Sequence, residues 1–325
     1  MRNLLRHATA ATAAALVAGL LQGAAAQEVK LGAVNFVPNN NAFGKPFVDF
    51  AEKVNAAGKG LVQIELKASG SMSPFTMANA VQSGVVDMAH LPCTFYQNLL
   101  PVGDALKMIQ KTPKEMRDSG AMDFIDQLHN EKVGAHYLGH WGTNVGFHVY
   151  LRDKKVETAD LSGLKLRITP VYRAFFRSLG ATVIQMQPGE VYVGLERGSI
   201  DGLGWPTWDI KSLGWDKHVK YRIDPPFYNT QEGIIVNLNK WKAMSKAQQD
   251  FLTKMMRDFE DEMWTKAEEL DKAYRKEQAE AGIQVITFTG KTAEDYVKKA
   301  YDAGWQEAME LDAANATKLK ALIAR

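Results

Sequence analysis

The sequence contains a single cysteine, Cys93, among its 325 residues. One cysteine cannot form an internal disulfide, so the stability of the fold has to come from packing. Charge of either sign is not in excess, because 39 basic side chains face 37 acidic ones. Arg2 and Arg6 lie close to the amino terminus, and without them the balance is even (39 − 2 = 37). A neutral surface argues against a nucleic-acid or anionic-membrane partner.

Long apolar runs are missing except near the amino terminus. There, Arg2 and Arg6 precede an alanine-rich apolar run centred on Ala13–Leu21, and three consecutive alanines end at Ala26. A charged start, a run too short to span a bilayer and a small-residue cleavage site are typical of a secretory signal peptide. We therefore predict a signal peptide over residues 1–26, export of the mature chain to the periplasm and no membrane-embedded segment elsewhere.

Motifs for catalysis, metal binding and cofactor binding are also absent. The chain has no G-x-x-x-x-G-K-S/T loop, no H-E-x-x-H and no G-x-S-x-G, and Gly202-x-Gly204 lacks the third glycine of a dinucleotide fingerprint. His136 and His140 are four residues apart, but in a strand-like stretch they do not share a helical face. We expect no catalytic residue, no metal and no cofactor. An exported enzyme is the alternative, and turnover of a candidate organic acid by the protein would support it.

The apolar pattern indicates an α/β fold with two lobes. About 300 mature residues exceed one comfortable hydrophobic core. Val29–Ala89 follows the order strand, helix, strand, helix, strand, which is the signature of a parallel sheet. Its end, Val81–Met88, is echoed by Leu195–Gly202, where a helix end, a glycine and a short strand with aspartate recur. We predict lobe 1 at 27–146 plus about 235–262, and lobe 2 at 147–234 plus about 263–325.

The longest predicted element is a helix over about 245–281. Ser245-x-x-Gln248 forms a capping box, and Gly282 ends the pattern. The apolar stripe consists of Ala247, Phe251, Met255, Phe259, Met263, Ala267, Leu270 and Tyr274. Some 36 residues at 1.5 Å each give roughly 54 Å, more than the diameter of one lobe. We therefore expect this helix to span both lobes.

Arg167 is the main candidate for a ligand contact. Leu164, Leu166 and Ile168 alternate with polar residues, as in a strand with one buried face, and Pro170 ends the strand. Arg167 then lies near the carboxyl end of that strand, where open α/β sheets bind ligands. A guanidinium held there is a rigid fork for a carboxylate. Spacing alone leaves a solvated strand arginine as the alternative.

A family resemblance rests on residues 161–206. The motif reads LSGLKLRITP…YRAFFRSLGAT…MQPGEVYVGLERGSIDG, and Pro206 and Asn237…Trp241 follow it. With this motif, the chain resembles, over essentially its whole mature length, the periplasmic solute-binding subunits of tripartite ATP-independent periplasmic (TRAP) transporters, the DctP-like group. The resemblance implies a two-lobe periplasmic binding protein that closes its central cleft on a solute and delivers it to the membrane permease subunits. It also implies that Arg167 pairs with the carboxylate of the solute.

Departures from the family pattern narrow the expected ligand. His148 stands where sialic-acid binders have a second arginine, and Trp205 stands where they have asparagine. Gly204 stands where some 2-oxo-acid binders have a glutamate that holds a cation, so we expect no metal here. One arginine among aromatic residues suits a small monocarboxylate with an apolar or aromatic body. A C4-dicarboxylate ligand and an ABC-type receptor for organic acids are the alternatives.

The expected site gathers loops after the strands, and Trp205 contributes a flat wall and an N–H donor from its loop. For Phe43, Trp141 and Phe227, plain core packing is the alternative, and Asn237 is expected near the hinge. Besides Arg167, the expected ligand contacts are Asn39, Asn40, Phe43, Thr94, Tyr96, Trp141, Asn144, His148, Trp205, Phe227 and Asn237.

Overall fold

The structure, a computed structural model, describes residues 27–325. The signal peptide expected over residues 1–26 therefore lies outside the described residues. The strands are β1 (Val29–Asn35), β2 (Val62–Leu66), β3 (Met88–His90), β4 (Ala135–Trp141), β5 (Phe147–Leu151), β6 (Lys165–Ile168), β7 (Thr182–Gln185), β8 (Gly202–Pro206), β9 (Tyr221–Asp224), β10 (Glu232–Asn237) and β11 (Gln284–Thr287). The helices are α1 (Gly44–Ala57), α2 (Pro74–Gln82), α3 (Pro113–Asp118), α4 (Ala121–Leu128), α5 (Arg173–Ser178), α6 (Val191–Glu196), α7 (Leu238–Ala243), α8 (Lys246–Glu280) and α9 (Gly290–Ile323).

The strands form two sheets, one at the centre of each lobe, as the α/β two-lobe prediction requires. The first sheet has the order β2-β1-β3-β10-β4, and the second has the order β11-β9-β5-β8-β6-β7. In the first sheet β1 is parallel to both β2 and β3, which confirms the parallel arrangement predicted from the alternating pattern. Strand β10 inserts antiparallel between β3 and β4, so a strand late in the sequence completes the first lobe.

Three local predictions need correction. The strand expected over Val85–Ala89 starts later, as β3. The helix expected around 114–130 is interrupted at Gly120, whose φ of +74° separates α3 from α4. The strand-like stretch His136–Leu151 is two strands, and β4 belongs to the first sheet while β5 belongs to the second. The loop between them turns at Gly142, with φ of +87°, and carries the chain from one lobe to the other.

The internal echo of the sequence has a structural counterpart in the two lobes. Asp87, just before β3, accepts a hydrogen bond of 2.8 Å from the backbone N–H of Gly32 in β1. Asp201, just before β8, accepts one of 2.7 Å from the backbone N–H of Lys165 in β6. Each aspartate thus ties its own strand to the parallel neighbour.

Helix α8 lies along both lobes, as predicted. Its 35 residues give a length of about 52 Å, and the predicted capping box of Ser245 and Gln248 is present. The ring of Phe259 lies 5.3 Å from that of Phe50 in the first lobe, and the ring of Tyr274 lies 5.9 Å from that of Trp208 in the second. One long helix therefore connects the two cores.

The apolar stripe of α8 differs from the prediction in its first half. Leu252 and Met256 are buried there, whereas Phe251 and Met255 are only partly buried. The reason lies in β4, because a side chain at Gly139 would come within 2.6 Å of the Met256 side chain. Because Gly139 has no side chain, Met256 can pack against β4. The buried face of α8 is therefore shifted by about one residue from the predicted one.

Helix α9 changes direction at Asp312, where the backbone leaves helical geometry. Its first part packs on the second lobe, with the ring of Tyr296 5.1 Å from that of Phe175. Its end returns to the first lobe, where Ile323 accepts a hydrogen bond of 3.0 Å from the backbone of Gln110. The end of the chain therefore contacts the first lobe, whereas all residues of about 263–325 are expected in lobe 2. None of the helices within residues 27–325 combines the length and the apolar character needed to cross a bilayer.

Candidate functional site

A cavity lies between the two sheets, at the carboxyl ends of β1, β3, β6 and β8. Its walls include Phe36 and Pro92 from the first lobe and Thr169 and Pro206 from the second. The cavity volume is about 50 Å³, counted as the space that the centre of a water molecule can occupy. Because one water needs roughly 10–15 Å³ by that measure, the cavity has room for a ligand of only a few heavy atoms in this conformation. The position agrees with the rule that α/β sheets bind ligands at the carboxyl ends of their strands.

Arg167 is fully buried in β6, which rules out the solvated strand arginine that spacing alone left open. Its Nε donates a hydrogen bond of 3.0 Å to the carbonyl oxygen of Met186. Its two terminal nitrogens, Nη1 and Nη2, are buried and have no hydrogen-bond partner among residues 27–325. A buried charge without partners is costly, so such a group calls for an anion.

The guanidinium of Arg167 lies next to the cavity, behind its second-lobe wall. Its Cζ is 5.5 Å from the centre of the Trp205 ring, and Trp205 lines the cavity together with Tyr172. Burial lowers the pKa of Arg167 to about 10, and the nearby Tyr172 and Glu190 offset this effect only in part. The group is still a cation at neutral pH, and a carboxylate could take both terminal nitrogens at once.

Trp205 lines the cavity, but its setting differs from the prediction. The residue lies in β8 rather than in a loop, and its indole N–H donates a hydrogen bond of 3.1 Å to the carbonyl oxygen of Trp208. That N–H is therefore committed within the protein and does not serve the ligand. The ring packs edge-on against Phe43 of the first lobe, at 6.0 Å between centroids. Trp205 thus supplies an apolar wall and a contact between the lobes.

Phe43 and Thr94, two of the expected ligand contacts, also line the cavity from the first lobe. The Thr94 hydroxyl is buried and has no hydrogen-bond partner among the described residues. Trp141 is not a lining residue but stacks on the ring of Phe43, at 6.1 Å between centroids, so it packs against a residue of the wall.

Tyr96 and Phe227 belong to the cores of the structure, and neither lines the cavity. The Tyr96 hydroxyl lies 2.9 Å from the Cys93 sulfur and 3.0 Å from Nε2 of His129, so its hydrogen bonds are made inside the first lobe. Phe227 packs in an aromatic cluster, with its ring 4.8 Å from that of Phe175. For Phe227 the alternative of core packing is the one that holds.

His148 lies in a polar network against α8 and does not line the cavity. Its Nδ1 lies 2.9 Å from the Asp224 carboxylate, and its Nε2 lies 3.1 Å from the guanidinium of Arg275 in α8. Arg275 also pairs with Asp224, at 3.0 Å. The three residues are therefore committed to joining β5 and β9 to the long helix.

The four asparagines expected at the site also lie outside the cavity wall. Asn39 accepts a hydrogen bond from Asn35, and Asn40 is exposed. Asn144 is exposed and donates to the carbonyl oxygen of Trp264 in α8. Asn237 caps the start of α7 and donates to the carbonyl oxygen of Val81. Of these amides, that of Asn237 stabilises a helix end, for which asparagine is well suited.

Several cavity residues escaped the sequence analysis. They are Asp104, Lys107, Thr169, Tyr172, Gln231 and Glu232. Lys107 lies in a short 3₁₀ segment, Pro101–Met108, with no motif around it. Glu232 had a detectable signal, because a charged residue opens the otherwise apolar strand β10, which returns between the lobes.

A bulky residue at position 204 is excluded by the wall of the cavity. A Cβ added to Gly204 would lie 2.8 Å from the ring of Tyr172, closer than real Cβ contacts. A glutamate side chain could therefore enter at this position only if Tyr172 moved. Within residues 27–325, no group of three or more histidine, cysteine, aspartate or glutamate side chains is arranged to hold a metal.

Residues 33–311 match the profile of the family described as bacterial extracellular solute-binding protein, family 7, or DctP. A monocarboxylate 2-oxoacid-binding periplasmic protein of Nostoc sp. is 27% identical over 214 residues, which cover 62% of this chain and 57% of that relative. A TRAP periplasmic solute-binding protein of Desulfovibrio salexigens with bound orotic acid has a TM-score of 0.80, at 17% identity over 90% of this chain and 97% of that one. A Bordetella pertussis extracytoplasmic receptor that binds pyroglutamic acid has a TM-score of 0.77, at 18% identity over 91% of this chain and 100% of that one.

Proposed function

The chain belongs to the bacterial extracellular solute-binding proteins of family 7, the DctP family, and we propose that it is the periplasmic receptor of a TRAP transporter. In this role it captures a small organic acid between its lobes and delivers it to the permease subunits in the membrane. Family and fold are those of substrate-binding receptors rather than enzymes.

The observation that carries the proposal is the pair of unpartnered terminal nitrogens of Arg167 beside the cavity. Their burial gives a carboxylate two charge-assisted hydrogen bonds in a medium where such bonds are strong. The acids named for the Desulfovibrio and Bordetella pertussis proteins, orotic and pyroglutamic acid, each carry a carboxyl group. The cavity volume favours a small acid over a large one.

Closure of the cleft follows from the distribution of the cavity walls. Trp205 of the second sheet lines the cavity, with Arg167 behind it, whereas Phe43, Thr94 and Glu232 line the cavity from the first-lobe side. A ligand that contacts both sides makes part of its contacts only when the lobes are together. Its binding therefore shifts the population toward the closed state, and the closed surface is the form that the permease would recognise.

The first experiment is a thermal-shift screen of a carboxylate panel, because a ligand at 100 times its dissociation constant stabilises the folded state by about 2.7 kcal/mol. Calorimetry then compares the best ligand on wild type, Arg167→Met and Arg173→Met. We expect Arg167→Met to weaken binding at least tenfold, ~1.4 kcal/mol, while the unliganded variant stays at least as stable as wild type because a buried unpaired charge is gone.

Arg173 is the matched control, since its guanidinium bonds to Gln185 at an exposed site. Its replacement should leave affinity within a factor of about two, because exposed polar pairs contribute little. Less than a tenfold loss in Arg167→Met would remove the anchoring role. An ABC-type partner is the alternative, and a neighbouring gene for an ATPase rather than for TRAP permease subunits would favour it. Turnover of a bound acid would favour an enzyme instead.

A further inference from the structure

Glu232 and His90 form a buried pair at the first-lobe side of the cavity. Glu232 opens β10 and lines the cavity, and His90 ends the neighbouring β3. Glu232 Oε2 lies 3.5 Å from His90 Nε2. Both atoms are buried, and neither has a hydrogen-bond partner among residues 27–325 by stricter geometry. The functions described so far do not use this pair.

The tautomer of His90 is fixed by Asn35. The amide nitrogen of Asn35 donates to the carbonyl oxygen of Gly44, at 3.1 Å, so its Oδ1 is the acceptor end. That Oδ1 lies 3.0 Å from Nδ1 of His90, which must therefore carry the hydrogen. In a neutral imidazole the other nitrogen, Nε2, then has a lone pair and can only accept. The ring of Phe47, stacked at 5.0 Å, helps to hold this orientation.

The lone pair on His90 Nε2 faces Oε2 of Glu232 at 3.5 Å, without a hydrogen bond in this conformation. Two facing lone pairs in a buried site repel each other, so the arrangement favours a protonated carboxyl group with its hydrogen on Oε2. Burial acts in the same direction, because it lowers the pKa of His90 to about 3 and raises the pKa of Glu232 well above its usual range. Glu232 is then a neutral acid whose Oε2 faces His90 and whose carbonyl oxygen remains an acceptor.

The other charges on this side of the cavity are already matched. Lys107 Nζ lies 2.5 Å from Asp104 Oδ2 and donates a hydrogen bond of 2.9 Å to the carbonyl oxygen of Val171. A second carboxylate, that of Glu307, has its Oε2 3.7 Å from Lys107 Nζ. Lys107 is therefore surrounded by acceptors and offers little to a second carboxylate.

We propose that Glu232, held neutral by His90, accepts a hydrogen bond from an uncharged O–H or N–H group of the ligand. This inference rests on the proposed function and narrows it to a monocarboxylate with a neutral donor at the end away from Arg167. A second carboxylate on the ligand would meet the carbonyl oxygen of Glu232 and the carboxylate of Asp104, and it would find no free cation there among the described residues. An ammonium group would meet no net negative charge. Glu232 thus determines specificity, and His90 is a positioning residue.

The test uses straight-chain carboxylates that differ only at the far end. Each series contains a hydroxyl-, a methyl-, an ammonium- and a carboxylate-ended member of the same length, and calorimetry compares their affinities at three lengths. The hydroxyl-ended members are glycolate, 3-hydroxypropionate and 4-hydroxybutyrate, and succinate is one of the carboxylate-ended counterparts. Pyroglutamate against 3-oxocyclopentanecarboxylate, in which a CH2 group replaces the N–H, tests a neutral N–H donor. We expect at least one donor-bearing member to bind wild type about tenfold or more tightly than its methyl, ammonium and carboxylate counterparts, since an unpaired buried acceptor discriminates strongly. Equal affinities, a preference for the ammonium or dicarboxylate members, or no binding of any donor-bearing member at millimolar concentration would overturn the proposal.

Two variants separate a neutral from an ionised glutamate. Glu232→Gln reproduces the protonated acid, with an N–H for His90 and a carbonyl oxygen for the ligand, so affinity should stay within about threefold of wild type. Glu232→Met removes the acceptor at similar volume and should abolish the preference for the donor-bearing members. A tenfold or larger loss in Glu232→Gln would mean that an ionised glutamate binds the ligand. A Glu232→Met variant that folds and keeps the preference would also contradict the proposal.

Failure here is distinguishable from failure of the proposed function. Arg167→Met should weaken every carboxylate in the series alike, whereas Glu232→Met should change only the discrimination between end groups. If Arg167→Met leaves all affinities intact, the carboxylate anchor is wrong whatever the Glu232 variants show.

Discussion

The ammonium group of Lys107 donates a hydrogen bond of 2.9 Å to the carbonyl oxygen of Val171, across the cleft between the lobes. Lys107 lies between β3 and β4 of the first lobe, and Val171 follows β6 of the second. The side chain is almost fully buried and is paired with Asp104. A buried cation thus bridges the two lobes next to the ligand cavity, which both residues line.

We expect the double replacement Lys107→Met, Asp104→Asn to loosen the closed state. It removes the bridge without leaving a buried carboxylate unpaired, which would otherwise cost about 3–5 kcal/mol. A hydrogen bond from a charged donor is worth about 1.5–3 kcal/mol, so affinity for a carboxylate ligand should fall roughly tenfold or more. Spin labels on the two lobes measure the cleft distance directly. The control is Lys114→Met, which removes an exposed partner of Asp118, and equal distances in both variants would contradict the bridge.

Gly204→Ala should damage the cavity wall. The new methyl group would lie 2.8 Å from the Tyr172 ring and force that ring to move. Overpacking of this kind costs about 1–3 kcal/mol, and we expect both a lower midpoint of thermal unfolding and a loss of affinity. Gly189→Ala is the matched control, because nothing lies within 4 Å of a Cβ there. If the two alanine variants bind and unfold alike, Tyr172 is not fixed by the bare backbone of β8.

His129 should make the protein sensitive to acid. Its Nδ1 lies 2.8 Å from the carbonyl oxygen of Ile125, and its Nε2 lies 3.0 Å from the Tyr96 hydroxyl, so the folded state holds the neutral ring. Burial lowers its pKa from 6.5 to about 4. The stabilisation is complete above pH 6.5 and is lost as the pH falls toward 4, because only the unfolded state takes up the proton in that window.

The measurement is the free energy of unfolding in urea, from pH 7 down to pH 4. Wild type should lose about 3 kcal/mol more than His129→Gln over that window, which corresponds to the shift in pKa. Glutamine cannot be protonated but can still accept from Tyr96 and donate to the carbonyl oxygen of Ile125. Parallel curves for the two proteins would show that the ring does not stay neutral in the folded state.

Asp87 and Asp201 should contribute to stability by similar amounts in the two lobes. Each accepts a backbone hydrogen bond from a parallel neighbouring strand. Removal of either carboxylate should cost about 1–2 kcal/mol, since both sites are partly exposed. Urea unfolding of Asp87→Ala and Asp201→Ala measures this, with Asp250→Ala as control, because Asp250 is an exposed partner of Lys246 on α8. If ligand affinity drops in only one of the two variants Asp87→Ala and Asp201→Ala, the two aspartates do not have equivalent structural roles.

Much of the fold could be predicted because its signals are local. Alternation over Val29–Leu66 specifies strands and a helix, and the capping box at Ser245 marks the start of α8. The same local reasoning placed Arg167 at the end of β6. It misjudged the first half of the α8 stripe, because Met256 is buried only where Gly139 of a distant strand leaves space.

The candidate site was harder to predict. Of the expected ligand contacts, Phe43, Thr94 and Trp205 line the cavity, but Tyr96, His148 and Asn144 are held by partners elsewhere. Sequence reveals that a polar or aromatic side chain is present, yet its partner decides whether it faces a ligand. Those partners lie up to 127 residues away, in the pair of His148 and Arg275.

By itself, the sequence determined most of the secondary-structure elements, the two-lobe α/β class and the arginine at a strand end, because periodicity, caps and glycine stops act over a few residues. Only the tertiary structure decided that Arg167 is buried with two unpartnered nitrogens, that Lys107 bridges the lobes and that Glu232 meets His90. These are properties of long-range packing, in which the cost of burying a polar group depends on what the rest of the chain places beside it.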